Sequence, residues 1–92
     1  MPKFLIEHLH EEETVACARV VRIFLETGSH YLTQAEWGCY DGDHRCWITV
    51  EAENREEALS IVPRPLRNQA RVIELNRFTI EEIDQILAQH GA

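Results

Sequence analysis

Hydrophobic and polar positions change period several times along the chain, and each change marks a predicted element. Phe4, Leu5 and Ile6 form a short apolar run, with Leu9 following after Glu7 and His8. A run apolar in part on both faces predicts a central strand over residues 3–10. From residue 11 to 27 the spacing becomes helical. Val15, Ala18, Val21, Phe24 and Leu25 recur at three- and four-residue steps, with Arg19, Arg22 and Glu26 mostly on the other side. Glu11, Glu12 and Glu13 would occupy the first turn, where the helix dipole favours negative charge. Gly28 suits the left-handed residue that ends a helix.

Residues 30–51 predict a hairpin. Two runs rich in aromatic and β-branched residues, 30–39 and 45–51, flank Asp41-Gly42, a strong turn signal. A second helix opens at Asn54, an N-cap with Glu57 three residues on, and Ala58, Leu59, Ile61 and Val62 supply its apolar face. Pro63 and Pro65 stop it. Val72, Ile73, Leu75 and Phe78 predict a fourth strand over 71–78. Thr79 and Glu82 then form a capping box for a C-terminal helix, with Phe78 and Ile83 placed as a hydrophobic staple. Ile80, Ile83, Ile86 and Leu87 line one side of that helix.

The predicted order is strand–helix–strand–strand–helix–strand plus a C-terminal helix, in one domain over residues 1–92. That is the ferredoxin-like βαββαβ pattern of the α+β class. It implies a four-stranded antiparallel sheet of order 4-1-3-2 with both main helices on one face. A chain this short forms about one helical layer on one sheet, so a second copy is the expected cover for the open face.

The strand Lys3-Phe4-Leu5-Ile6-Glu7, the strand Arg71-Val72-Ile73-Glu74-Leu75 after a Pro-containing turn, and the tail Arg77-Phe78-Thr79-Ile80-Glu81-Glu82-Ile83 give the chain a layout that resembles the dimeric α/β-barrel superfamily. The resemblance implies two sheets packed face to face across a two-fold axis. Members include cofactor-independent monooxygenases, muconolactone-isomerase-like enzymes, stress-response proteins and ligand-sensing domains. It implies fold and homodimerisation rather than a particular chemistry, and no catalytic motif carries over.

Charge and cysteine usage narrow the partners. The formal net charge is −7, which opposes binding to nucleic acid or to anionic membranes. No apolar run approaches the length of a signal peptide core or a membrane span. Cys17, Cys39 and Cys46 are odd in number and lack C-x-x-C spacing, which reads as free thiols in a reducing compartment. A cytoplasmic protein is expected.

Strand alternation supplies the candidate chemistry. Leu5, Glu7 and Leu9 share one face of the first strand; Trp47, Thr49 and Glu51 share one of the third; Val72, Glu74 and Asn76 share one of the fourth. With the expected order, Glu7, Glu51 and Glu74 project together from the face away from the helices. Clustered carboxylates repel, which raises a pKa toward general-base or metal-ligand use; pairing with Arg45, Arg71 or Arg77 is the alternative. Trp37 and Trp47, with Thr49 and Asn76, are candidates to line a ligand cavity. His8 and His10 point the same way from the first strand, and His30, His44, Cys39 and Cys46 lie on the hairpin. A subset of these suits zinc, nickel or copper, although their spacing matches no finger or ribbon. No glycine-rich phosphate loop and no nucleophile elbow occur, and no cofactor is assigned. The leading expectation is a small homodimer that binds a small molecule or ion between its sheet faces. The alternatives are a cofactor-free monooxygenase- or isomerase-like enzyme using the sheet-face carboxylates, and a transition-metal-binding protein.

Overall fold

The computed structural model describes residues 1–27 and 29–92. Strand β1 (Lys3–Leu9) runs down the centre of the sheet. It pairs antiparallel with β3 (Arg45–Glu51) on one side and β4 (Ala70–Leu75) on the other. A two-residue strand β2 (Glu36–Trp37) borders β3, so the order read from that edge is β2-β3-β1-β4. The helices are α1 (Thr14–Glu26), α2 (His30–Thr33), α3 (Arg55–Leu59) and α4 (Ile80–Gln89), and 3-10 turns cover Cys39–Asp41 and Arg64–Gln69.

Register explains the core. Phe4, Ile6 and His8 stand opposite Val50, Ile48 and Cys46, and all six are buried. Opposed residues share a face, so this is the covered side of the sheet. Phe24, Leu32, Ala58 and Val62 close over it, with Val20 and Val72 packed at the margin.

Helix α1 begins later than its acidic run suggests. Glu13 is the N-cap, its carboxylate accepting from the Ala16 amide at 2.8 Å. Its buried stripe is also rotated. Cys17, Val20, Val21 and Phe24 face inward, whereas Val15 and Leu25 are more than half exposed. The spacing i, i+3, i+4, i+7 starting at Cys17 is as good a helical stripe as the one starting at Val15. The thiol decides between them, because it has partners beneath the helix. The expected glycine stop at Gly28 lies outside the described residues.

The ferredoxin-like βαββαβ expectation is corrected by these elements. Its second strand shrinks to two residues, because 30–33 coil into a helical turn that drives Leu32 into the core. Its second helix is only five residues long. Asn54 caps it as expected, accepting from the Glu57 amide at 2.8 Å, but it gives way to turns before Pro63. The fold is instead a small α+β sheet with short helices, and it is extended, measuring 53 × 28 × 20 Å. The C-terminal helix forms behind its Thr79 cap but buries none of its residues, and Phe78 is 65% exposed. No helix among the described residues is long and apolar enough to cross a membrane.

The fourth strand also shifts. It spans Ala70–Leu75, and Arg71, not Glu74, stands opposite Glu7. A one-residue slip exchanges the two faces of a strand. Val72 therefore faces the core, and Glu74, opposite Phe4, lies on the covered side at its exposed end.

The division between the packed sheet and the projecting helix has a measurable consequence. Phe24→Ala, at a fully buried site, is expected to cost about 3–5 kcal/mol. Ile86→Ser on α4 is expected to stay within about 0.5 kcal/mol. Urea unfolding of the two variants checks this; equal losses would contradict the packing described.

Candidate metal centre

Four side chains from separate parts of the chain meet at one end of the sheet. His10 follows the last residue of β1, and its backbone amide donates to the His44 carbonyl at 3.0 Å. Cys17 lies in the first turns of α1, on the inward stripe. Cys39 opens the 3-10 turn between β2 and β3, and His44 immediately precedes β3. One ligand atom from each of His10, Cys17, Cys39 and His44 lies within 4.8 Å of all the others.

The loop that carries Cys39 and His44 is held shut by Gly38. Its amide donates to the Arg45 carbonyl at 3.0 Å, and its carbonyl accepts from the Asp41 and Asp43 amides at 2.9 and 3.0 Å. A Cβ at this position would stand 2.7 Å from the Asp43 carbonyl oxygen, so only glycine fits. Gly42 turns the chain with φ +82°, in the left-handed region. Asp43 then grips Arg45 through two hydrogen bonds of 2.7 Å. That guanidinium holds the Asp43 carboxyl below its ordinary range. The turn chemistry of Asp41-Gly42-Asp43 thus serves to place Cys39 and His44.

The distances suit a tetrahedral ion. His10 Nε2 is 3.2 Å from Cys17 Sγ and 3.3 Å from Cys39 Sγ, and the two sulfurs are 3.5 Å apart. Zinc bonds of about 2.3 Å to sulfur and about 2.0–2.1 Å to nitrogen give a tetrahedron with edges of roughly 3.3–3.8 Å. Three of the four donors already stand close to that figure. Nδ1 of His44 is buried and has no hydrogen-bond partner among the described residues. Nδ1 of His8 and Nδ1 of His10 are likewise buried without a partner among the described residues, so it is the place of His44 in the four-residue cluster that marks its ring as a candidate donor.

Electrostatics point the same way. Burial pushes His10 below its ordinary value of 6.5, and neighbouring His8 and His44 push it further down. It is therefore neutral near pH 7, the state that ligates metal. Burial also raises the Cys39 thiol, reinforced by the hydrogen bond from the Cys17 thiol. Two protons must leave when a metal arrives. Two thiolates then balance a dication, so the filled site carries no net charge into a half-buried corner.

The remaining sequence candidates fall elsewhere. His8 is fully buried on the covered face, and its Nε2–H donates to the Leu66 carbonyl at 3.0 Å. It stacks on His10 at 6.3 Å but supplies no donor to the cluster. His30 is exposed on α2 beside Tyr31. Cys46 is in the core, where burial pushes its thiol up to about 12. The two tryptophans part company. Trp37 stands opposite Cys46 on the covered face and packs edge-on to Phe24 and His10. Trp47 stands opposite Glu7 on the open face. Thr49 is exposed on that face, and Asn76 lies beyond the end of β4. The sheet therefore separates Trp37 from Trp47 and Thr49.

The three carboxylates are likewise separated. Glu7 accepts from Trp47 Nε1 at 3.0 Å and lies 3.7 Å from Arg45 and 3.5 Å from Arg71. It is a paired carboxylate. Glu51 stands four residues away along the strand, opposite Lys3, and Glu74 is on the other face.

Cys17 is the candidate ligand that sequence reasoning passed over. Its signal was the alternative helical stripe Cys17, Val20, Val21 and Phe24, which turns the thiol toward the strand carrying His10.

Below pH 6.5 an unfolded chain protonates histidines that burial keeps neutral in the fold, here His8 and His10. The unfolded state then binds more protons, so stability falls with falling pH. Metal-free protein is expected to hold its urea midpoint above that value and to lose it steadily as the pH falls below it. Loss of the Asp43 contribution belongs to a separate window, below 3.8. A flat profile through the upper window would contradict the burial of these imidazoles. Compared with protein-family models, curated proteins and solved structures, the chain matches none.

Proposed function

We propose that the protein is a metal-binding domain that holds one divalent transition-metal ion, with zinc the best fit, through His10, Cys17, Cys39 and His44. The observation that carries this reading is the convergence of four donors of the right kinds within 4.8 Å. Soft thiolates with imidazoles in a tetrahedral set favour zinc over magnesium, calcium or manganese. Four protein donors leave no open position, so the ion is structural rather than the seat of a reaction. It ties the end of β1, the start of α1 and the β2–β3 loop into one corner. A surface cleft lined by Leu9, His10, Glu12, Asp41 and His44 gives the ion a way in.

Zinc titration of metal-free protein, followed by thermal unfolding, tests the reading. About one zinc per chain is expected to bind, and free zinc at about 100 times the dissociation constant to add about 2.7 kcal/mol of stability. Cys17→Ser and Cys39→Ser are each expected to weaken binding by more than the about 10–100-fold that loss of an outer-shell partner costs. His30→Ala is expected to change nothing. Cobalt substitution supplies an independent readout, because tetrahedral cobalt with thiolate ligands absorbs strongly in the visible. Equal binding by wild type and both serine variants would overturn the proposal.

Affinity is expected to rise with pH, because the raised Cys39 thiol must lose its proton to bind. Zinc affinity measured at about pH 6 and about pH 8 checks this. A pH-independent constant would contradict thiolate ligation.

A further inference from the structure

We infer that Cys17 and Cys39 are also a dithiol that closes to an intramolecular disulfide, and that disulfide and metal exclude each other at the same corner. The inference deepens the metal reading, but its first half stands on the thiol geometry alone. The two sulfurs are 3.5 Å apart, in direct contact, although they are 22 positions apart in the chain. A disulfide bond measures about 2.05 Å, so closure needs a movement of about 1.5 Å. The two sides of the pair differ in the give they offer. Cys17 is fixed within α1 and buried. Cys39 is half-buried at the start of a 3-10 turn, where rotation of its side chain can supply the shift while the Gly38 hydrogen bonds hold the loop.

The asymmetry also sets the order of attack. A small-molecule disulfide of the glutathione class reaches Cys39 first. The Cys39 sulfur attacks one sulfur of the oxidant, forming a mixed disulfide and releasing one thiol. The Cys17 sulfur then attacks Cys39 Sγ, breaking the mixed bond and releasing the second thiol. Two protein thiols are oxidised, one small disulfide is reduced to two thiols, and the two thiol protons leave on those products. With zinc bound, the same exchange turns two thiolate ligands into a disulfide and frees the dication. The third thiol takes no part, because Cys46 is fully buried on the core face of β3. The corner therefore holds either a metal or a covalent cross-link, and the supply of oxidant decides which.

Oxidised glutathione is the probe, applied to folded metal-free protein and to zinc-loaded protein in parallel, with intact mass, peptide mapping and a zinc indicator as readouts. The expected result for the metal-free chain is a mass loss of about 2 Da, a Cys17–Cys39 linked peptide and a reduced Cys46. Cys17→Ser is expected instead to retain one glutathione on Cys39. Zinc-loaded protein is expected to release its zinc in proportion to the disulfide formed. Glutathione retained on Cys39 of the wild type, or linkage through Cys46, would overturn the inference. So would zinc that stays bound to chains already carrying the Cys17–Cys39 bond. The two readings fail separately. A disulfide that forms in a chain unable to bind zinc leaves the dithiol standing without the metal centre. Zinc binding with no disulfide leaves the metal centre alone.

Discussion

Everything at one end of this molecule depends on bringing two imidazoles and two thiols to a single point. None of the four is close to another in sequence except through a loop. His10 reaches the site because β1 runs centrally and ends there. Cys17 reaches it because α1 starts only after the Glu13 cap and turns that side chain inward. Cys39 and His44 reach it because Gly38 accepts a close contact that no other residue tolerates. A polar cluster with unpartnered nitrogens is costly in a small core. An ion bound by one atom of each side chain would cross-link three segments and give the cluster a common partner, leaving Nδ1 of His10 unpartnered where Nε2 is the ligand.

The rest of the sheet is arranged so that its chemistry is already satisfied. On the open face Glu7 is held between Trp47, Arg45 and Arg71. These charges are paired, whereas the histidine–cysteine corner has only thiol hydrogen bonds and buried ring nitrogens without a partner among the described residues. That contrast separates a surface network, worth little and screened by salt, from a site poised for a ligand.

Much of the local structure was legible in the sequence. Strand β1, the Asn54 and Thr79 caps and the amphipathic C-terminal helix follow from short-range rules, and they form. Two kinds of feature were not legible. Strand faces depend on register, and the placement of Arg71 opposite Glu7 is set by how the turn after Pro63 delivers β4. The second was the choice between two helical stripes on α1, one starting at Val15 and one at Cys17. Periodicity alone cannot rank them, since cysteine counts as a small hydrophobe. His10 and His44 stood out as histidines, but their grouping with Cys17 and Cys39 is a product of tertiary structure. Spacing in sequence carried no motif because the four side chains come from three separate segments, and only Cys39 and His44 share a loop.

X-ray absorption at the zinc edge of the zinc-loaded protein reads the ligand set itself. Binding by His10, Cys17, Cys39 and His44 is expected to give two sulfurs at about 2.3 Å and two nitrogens at about 2.0–2.1 Å. A shell of nitrogen and oxygen alone would contradict it, because it would place the ion away from Cys17 and Cys39.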